Sequence, residues 1–329
     1  MALEVVKYEE KYRTAWDRLV MNNSVNGTFL QSMNFLNYHP KDRFVDASVM
    51  IMQGPNVVAV VPACDVEDEG KRCFFSHKGS TYGGIVIDEQ KYNISVMDEL
   101  VPCLDEYLRA EGYESAILKC TSQLFSKRPV DLIDYYLFKN GYGQFDEVSF
   151  YVDIEHAPED MLSILTASRR RGYRHSLKND LEFRRVETDE EIAEFYAILV
   201  KNLEKFGTKP VHTVDELLEF KRQRLTDIVD FYGVFYQGKI VAGTMLFYFK
   251  RQVVHAQYFA QDPEYTDLYT MNFLDFNLMQ MARENGFQKF SFGISTEERG
   301  KALNMGLALF KEGFGCDYCV NRSYTKTFI

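Results

Sequence analysis

Two spacings of apolar residues alternate along this chain, one of period two and one of period about 3.6. Residues 3–7 read as a strand and 9–21 as an amphipathic helix. Two apolar runs, 49–53 and 57–59, flank a turn at Gln53-Gly54 and read as a hairpin. A helix is expected near 95–111. It contains Pro102, so it either kinks or starts late. Strands follow at 115–118 and 145–152. The second half reads as a strand at 182–186 and helices at 189–206 and 214–225. Three strands come next, at 231–236, 240–249 and 253–260. A helix at 268–285 and strands at 289–292 and 318–328 complete it.

The same pieces recur in the same order, so the chain reads as a duplicated domain. The hairpin turn Gln53-Gly54 returns as Gln237-Gly238. The helix ending Glu111-Gly112-Tyr113 returns as Asn285-Gly286-Phe287, each with glycine at the C-cap position. Phe138-Lys139-Asn140-Gly141-Tyr142-Gly143 returns as Phe310-Lys311-Glu312-Gly313-Phe314-Gly315. A boundary near His156-Ala157-Pro158 gives domains 1–155 and 156–329, with the C-terminal strand a candidate to pack at the interface. Mixed order around a hairpin implies α/β (α+β) architecture. No G-x-G-x-x-G or Walker pattern occurs, which removes dinucleotide and P-loop readings.

Strand, helix, hairpin, helix, strand, twice over, resembles a tandem of GNAT acyltransferase folds. Four segments are similar to the Fem-type transferases: Phe29-Leu30-Gln31-Ser32, His77 to Gly84, Ser168 to Lys178, and Phe310 to Gly315. The resemblance covers nearly the whole chain. It implies two tandem GNAT-like domains, each a mixed, mainly antiparallel sheet flanked by helices. It also implies N-acyl or aminoacyl transfer from an activated donor to an amine, with no tightly bound cofactor. Acyl-CoA and aminoacyl-tRNA both stay open as co-substrates, so tRNA is a candidate partner as acyl carrier. The acceptor is a small amine-bearing molecule, a cell-wall precursor among the candidates. Two departures stand out. Where GNAT enzymes grip the CoA pyrophosphate with a glycine loop, this chain has Pro263-Glu264-Tyr265-Thr266-Asp267 and no glycine, so the ordinary grip is not expected. The segment 201–226 is also too short for the helical arm that some Fem enzymes carry.

The resemblance makes Lys311 the catalytic candidate. A fixed ammonium stabilises the negative oxygen formed when an amine attacks an ester or thioester. Phe310 would wall the site or stack on the donor. Because Phe138-Lys139 repeats the pattern, a structural turn is the competing reading. Arg170, Arg171, Arg174 and Lys178 look helical, with 170, 174 and 178 on one face, a spacing suited to donor phosphates. The competing reading is a solvated face paired with acidic residues of the first half. Lys205, Lys209 and His212 gather in a loop with Gly207 and Pro210. Lys209 and His212 are candidate acceptor contacts, and His212 could take a proton from the amine. Lys78, Tyr82 and the Gly83-Gly84 pair form a second candidate binding loop, with a tight turn as the alternative. Lys41 and Arg43 flank Asp42 as weaker contacts.

Charge and cysteine spacing narrow the partners. Residues 1–155 hold 15 Lys and Arg against 24 Asp and Glu; residues 156–329 hold 23 against 24, for a net charge of −10. That balance argues against DNA or an extended RNA surface, and leaves room for a local anion site in the second half. Cys316 and Cys319 lack a second pair, so no metal site is expected. No apolar run approaches a membrane span of about 20 residues. The first residues lack a secretory pattern, so a cytoplasmic chain is expected. No Ser-His-Asp or Cys-His pattern supports a covalent hydrolase. A second functional class keeps the fold without turnover: a degenerate double-GNAT protein that binds a ligand or partner.

Overall fold

The computed structural model describes residues 2–40, 42–205, 207–250 and 252–328; Lys41 and Phe206 lie outside them. The chain forms two compact units. One takes the residues up to Glu147 and those from Val320 onward; the other is Val148–Cys319. The sequence reading kept everything after residue 155 together. The difference has a backbone cause: the last strand, Asp317–Thr327, pairs its residues 323–327 antiparallel with 115–119 of the first unit.

In the first unit, Glu4–Lys7, Val49–Gln53, Asn56–Val61 and Val86–Ile87 form one antiparallel sheet in that order. A second group joins Val45–Asp46, Cys64–Asp68, Lys71–Ser76, Ser115–Lys119 and the end of the last strand. Its Lys71–Ser76 and Ser115–Lys119 neighbours are parallel. The expected helix near 95–111 is Ile94–Ala110 and runs through Pro102 without ending. Proline inside a helix costs about 3 kcal/mol. Met97, Leu100, Val101, Leu104 and Leu108 are all fully buried on this helix. At about 1.5–3 kcal/mol for each such side chain, their burial outweighs the proline.

The second unit orders Leu181–Arg185, Val229–Tyr236, Lys239–Phe249 and Val253–Gln261 as antiparallel neighbours. Lys289–Ile294 then adds in parallel, and residues 149–153 of Gly143–Asp153 pair antiparallel with it. The second unit is thus a mixed, mainly antiparallel sheet flanked by helices, as the resemblance implied, and the first divides its strands between an antiparallel sheet and a second, mixed group. Both Gln-Gly turns sit where predicted. Gly54 has φ 59° and Gly238 φ 79°, backbone that glycine adopts without a Cβ clash.

Helix ends moved more than strands did. The helix expected at 9–21 is a 3₁₀ turn, Glu10–Tyr12, then Arg13–Arg18, then a wide turn over Leu19–Asn23. The one at 214–225 is Val214–Glu219 followed by a wide turn, Phe220–Arg224. The helix expected to reach 206 spans Asp189–Glu204. Among the described residues, no helix is long and apolar enough to cross a membrane.

Candidate active site

The site of the second unit begins at a place where two parallel strands part. Val253–Gln261 and Lys289–Ile294 pair only from Val253 opposite Lys289 to His255 opposite Ser291. A bulge beside Met245 and Leu246 bends the first of these strands just beyond. Past this point the carbonyls of Gly293 and Ile294 are turned toward the helix Met305–Glu312.

Lys311 lies on that helix and is 4% exposed. Its Nζ donates to the carbonyls of Gly293, at 3.1 Å, and Ile294, at 2.6 Å. The ring of Phe150 lies 5.6 Å from the ammonium. Burial pulls the Lys311 pKa down to about 8, opposed by Cys316 and Asp275. An ammonium has three N–H groups, and the two carbonyls take two of them. Among the described residues the third N–H has no partner.

Lys139, its counterpart in the repeat, has a different fate. It is exposed and pairs with Asp98 at 2.5 Å. The helix ends differ as well. Helix Asp131–Lys139 stops at a left-handed Gly141 with φ 81°, whereas Gly313 stays right-handed and the left-handed turn comes at Gly315, φ 80°. The shared motif therefore codes a helix stop in both halves and a buried ammonium in only one.

The basic run forms the helix Ala167–Ser176. Thr166 at its start donates its N–H to the Gly313 carbonyl at 2.9 Å, which ties it to the lysine helix. Arg169 turns inward. Its guanidinium sits 4.1 Å over the Phe310 ring and donates to Asn272 Oδ1 at 3.3 Å. One face of Phe310 is therefore already covered. Gly172 lets the helix lie against Thr270–Glu284, because a Cβ there would come within 1.9 Å of Asn272 Nδ2. Arg170, Arg171, Arg174 and Lys178, with Ala167 and His175, line an open depression of about 500 Å³. The charged side chains of these four residues make no ion pair with any described residue. Arg171, Arg174 and Lys178 are exposed and Arg170 half-buried, as on a solvated helix face.

The start of helix Thr270–Glu284 is not an open cradle. Tyr269 before it is left-handed, φ 57°, and Thr270 is fully buried. Exposed Glu264 and Asp267 precede it. The basic helix covers its first turn through Gly172 and Asn272.

Two titratable side chains outside the sequence-based candidates, His255 and Asp275, lie within electrostatic reach of Lys311. His255 shares its Nδ1 with Ser291 Oγ at 3.0 Å, and lies against Gly293, whose φ is 71°. Burial, then the Lys311 charge, push the His255 pKa down to about 4, so it is neutral at pH 7. Asp275 is fully buried, and neither of its oxygens has a hydrogen-bond partner among the described residues. Ser295 Oγ and Thr296 Oγ1, next along the chain from Ile294, are also buried without partners. Within Val148–Cys319, these are the unpartnered buried side-chain atoms among the described residues. Such groups are rare in folded proteins, and Ser295 follows directly on the Ile294 carbonyl that holds Lys311. Sequence held no signal for them, since each is an ordinary residue on an apolar element.

Other candidates fall elsewhere. His212 is 6% exposed, not a solvated loop histidine. Its Nδ1 meets Tyr258 OH at 2.7 Å, and its ring packs on Phe220. The structure does not bring it to Lys311; the histidine there is His255. Lys205 and Lys209 are exposed in the preceding loop. Lys78 and Tyr82 belong to the first unit, Lys78 exposed and Tyr82 buried against Phe125. The Gly83-Gly84 pair serves its own chain. Gly83 N donates to Lys119 O at 2.8 Å, and a Cβ on Gly83 would lie 2.5 Å from the Ser76 backbone. Gly83 thus lets the loop approach the chain's own backbone. Arg43 lies over Phe44 at 5.6 Å. Cys316 is buried and Cys319 half-buried, and neither forms a disulfide.

Comparison with known proteins agrees with this fold. Residues 165–299 match the acetyltransferase (GNAT) domain family. No protein of curated function matches the chain by sequence. The crystal structure of FemX superposes with a TM-score of 0.71 at 13% identity, over 99% of this chain and 97% of that one. A tandem GNAT protein from the clavulanic acid biosynthesis pathway gives 0.56 at 11% identity, over 99% and 98%. L-PGS from Bacillus licheniformis gives 0.55 at 15% identity, over 81% and 80%. The chain thus has the fold of the tandem GNAT proteins, FemX among its structural neighbours, and its residues 165–299 are similar to the GNAT acetyltransferase domain.

Proposed function

We propose that the chain is an N-acyltransferase whose chemistry resides in the second unit. The observation that carries this reading is Lys311: a buried lysine, held by two carbonyls, with one N–H unpaired among the described residues. The acceptor nitrogen attacks the carbonyl carbon of an ester or thioester. A C–N bond forms, and the C–O or C–S bond breaks. The proton lost from nitrogen leaves with the departing oxygen or sulfur. Lys311 as ammonium stabilises the oxygen that carries the negative charge in between. The donor's phosphates rest on Arg170, Arg171, Arg174 and Lys178, which supply unpaired positive charge on one open surface. The covered start of helix Thr270–Glu284 favours this placement over the usual helix-end grip. Aminoacyl-tRNA and acyl-CoA are both donors of the required chemistry. The acceptor is a small amine, with a cell-wall precursor as one candidate.

A thermal-shift titration with CoA, acetyl-CoA, aminoacyl-tRNA and a pyrophosphate control tests the donor. A ligand that binds only the folded state, at 100 times its dissociation constant, adds about 2.7 kcal/mol. A saturable rise with a CoA compound or with aminoacyl-tRNA, beyond that with pyrophosphate, is the expected result. No rise with either donor would move the chain to the non-catalytic reading.

The pH dependence follows from Lys311. Burial lowers its pKa to about 8, so the ammonium is present below that value and lost above it. At saturating donor and acceptor, kcat should hold at neutral pH and fall as pH rises through about 8. A kcat that keeps rising past the Lys311 midpoint would show that the charged form is not the working one.

A further inference from the structure

A cavity of about 350 Å³ opens in the first unit, beside the short helix Met33–Leu36 and the turn that follows strand Lys71–Ser76. That volume is in the range of small-molecule pockets. His39 and His77 line it with their rings stacked at 6.1 Å, and Phe44 stands edge-on to both, at 4.7 Å and 5.4 Å. Gly79 sets the proton on each imidazole. Its carbonyl accepts from His39 Nε2 at 3.0 Å. Its N–H donates to His77 Nδ1, also at 3.0 Å, so that nitrogen carries a lone pair and the His77 proton sits on Nε2. Burial pushes His39 down to about 4 and His77 to about 3, so both rings are neutral at pH 7. His77 is 5% exposed, and its Nε2–H has no partner among the described residues. Whereas His39 Nδ1 is sealed off, His77 Nε2 opens on the cavity. A buried donor left without an acceptor is rare in a folded protein.

The rest of the lining fixes the charge of a ligand. Asp42 and Asp46 line the cavity, are exposed, and make no ion pair with any described residue. Asp46 Oδ1 accepts from the N–H and hydroxyl of Ser48, which leaves Oδ2 unused. Two cations stand near, and neither lines the cavity: Arg43 lies 5.6 Å over the Phe44 ring, and Lys119 donates to the Ser80 carbonyl at 3.1 Å. Met33 and Leu36 add an apolar wall. We propose that this cavity binds a small organic amine: its ammonium lies at Asp42 and Asp46, its apolar frame packs on Phe44, Met33 and Leu36, and an oxygen it carries accepts from His77 Nε2–H. A carboxylate or phosphate ligand would face two carboxylates and no lining cation, so the site selects against anions. This site lies in the unit that does not hold Lys311, and its test reads binding, not turnover.

The test is NMR of the imidazole nitrogens in the full chain, with three probes of one shape. Tyramine carries the ammonium, the frame and a hydroxyl; phenethylamine lacks the hydroxyl; 4-hydroxyphenylacetate replaces the ammonium with a carboxylate. At pH 7 His77 should be neutral with its proton on Nε2. Tyramine should move the His77 signals saturably and leave those of exposed His156 and His175 in place. Phenethylamine should bind about three- to tenfold more weakly, the worth of one hydrogen bond, and the carboxylate should not bind. In His77→Phe, which keeps a ring and removes the donor, the two amines should bind alike. Asp42→Asn combined with Asp46→Asn should weaken both amines about three- to tenfold at low salt. Asparagine tolerates the left-handed backbone at position 42, φ 69°, and can still accept from Ser48 at position 46. A charged or Nδ1-protonated His77, no saturable shift with either amine, binding of the carboxylate as tight as that of tyramine, or amine affinity unchanged in the double variant would each overturn the proposal. If His77→Phe does not fold, the native chain decides: equal affinity for tyramine and phenethylamine overturns it.

Discussion

Lys311→Ala should lower kcat by about 100- to 1,000-fold and leave the fold intact. The magnitude is that of removing one fixed donor from an oxyanion site. Its direction follows from the geometry: two N–H groups on the Gly293 and Ile294 carbonyls hold the ammonium in place, and alanine supplies no donor there. The substitution also leaves those two carbonyls without a partner, at about 1–3 kcal/mol each if buried. Removing a buried cation offsets part of that cost. Circular dichroism and the melting temperature separate the effects. Lys139→Ala is the matched control. Its lysine is exposed and paired with Asp98, so activity and stability should be nearly unchanged. A Lys311→Ala protein with full turnover would sink the catalytic assignment. Equal losses in both lysine variants would point to the shared helix stop instead.

Arg170→Glu combined with Arg174→Glu should raise the donor KM by about 100-fold and change kcat little. The estimate takes two charge-assisted contacts at about 1.5–3 kcal/mol each, discounted because the helix face is open to solvent. Both side chains line the same depression and lack protein partners, so reversal repels the donor without breaking an internal ion pair. Added salt should weaken donor binding in the native chain and much less in the variant, because screening acts on exposed charges. A kcat loss with unchanged KM would place the donor elsewhere.

The backbone plan was largely legible in the chain. Alternation marked most strands of the second half to within a residue or two, as for Val253–Gln261, and the Gln-Gly hairpins were read from their glycines. The hairpin Cys64–Asp68 with Lys71–Ser76 escaped, because its strands are short and carry charge on their exposed positions. Wide turns such as Phe220–Arg224 escaped because they keep a helix-like apolar spacing. Of the candidate site, the lysine motif and the basic helix were visible, as local patterns of residue type. His212 misled, since a loop with glycine and proline reads as solvated, while Tyr258 and Phe220 arrive from distant positions to bury it.

The amino-acid order by itself determined the duplication, the placement of strands and helix stops, the Phe310-Lys311 turn and the row of cations from Arg170 to Lys178. Each depends on residues within a few positions of one another, where backbone sterics and side-chain period act locally. Only the tertiary structure decided which lysine of the repeat is buried. Lys139 and Lys311 share their flanking residues, but one meets Asp98 at the surface and the other meets the carbonyls of a strand end. It also set His255 against Gly293 and Arg169 over Phe310, and paired the end of the last strand with residues 115–119 of the first unit. These outcomes turn on burial and on pairing between segments far apart in the chain, and burial sets a side chain's charge only once its neighbours are in place.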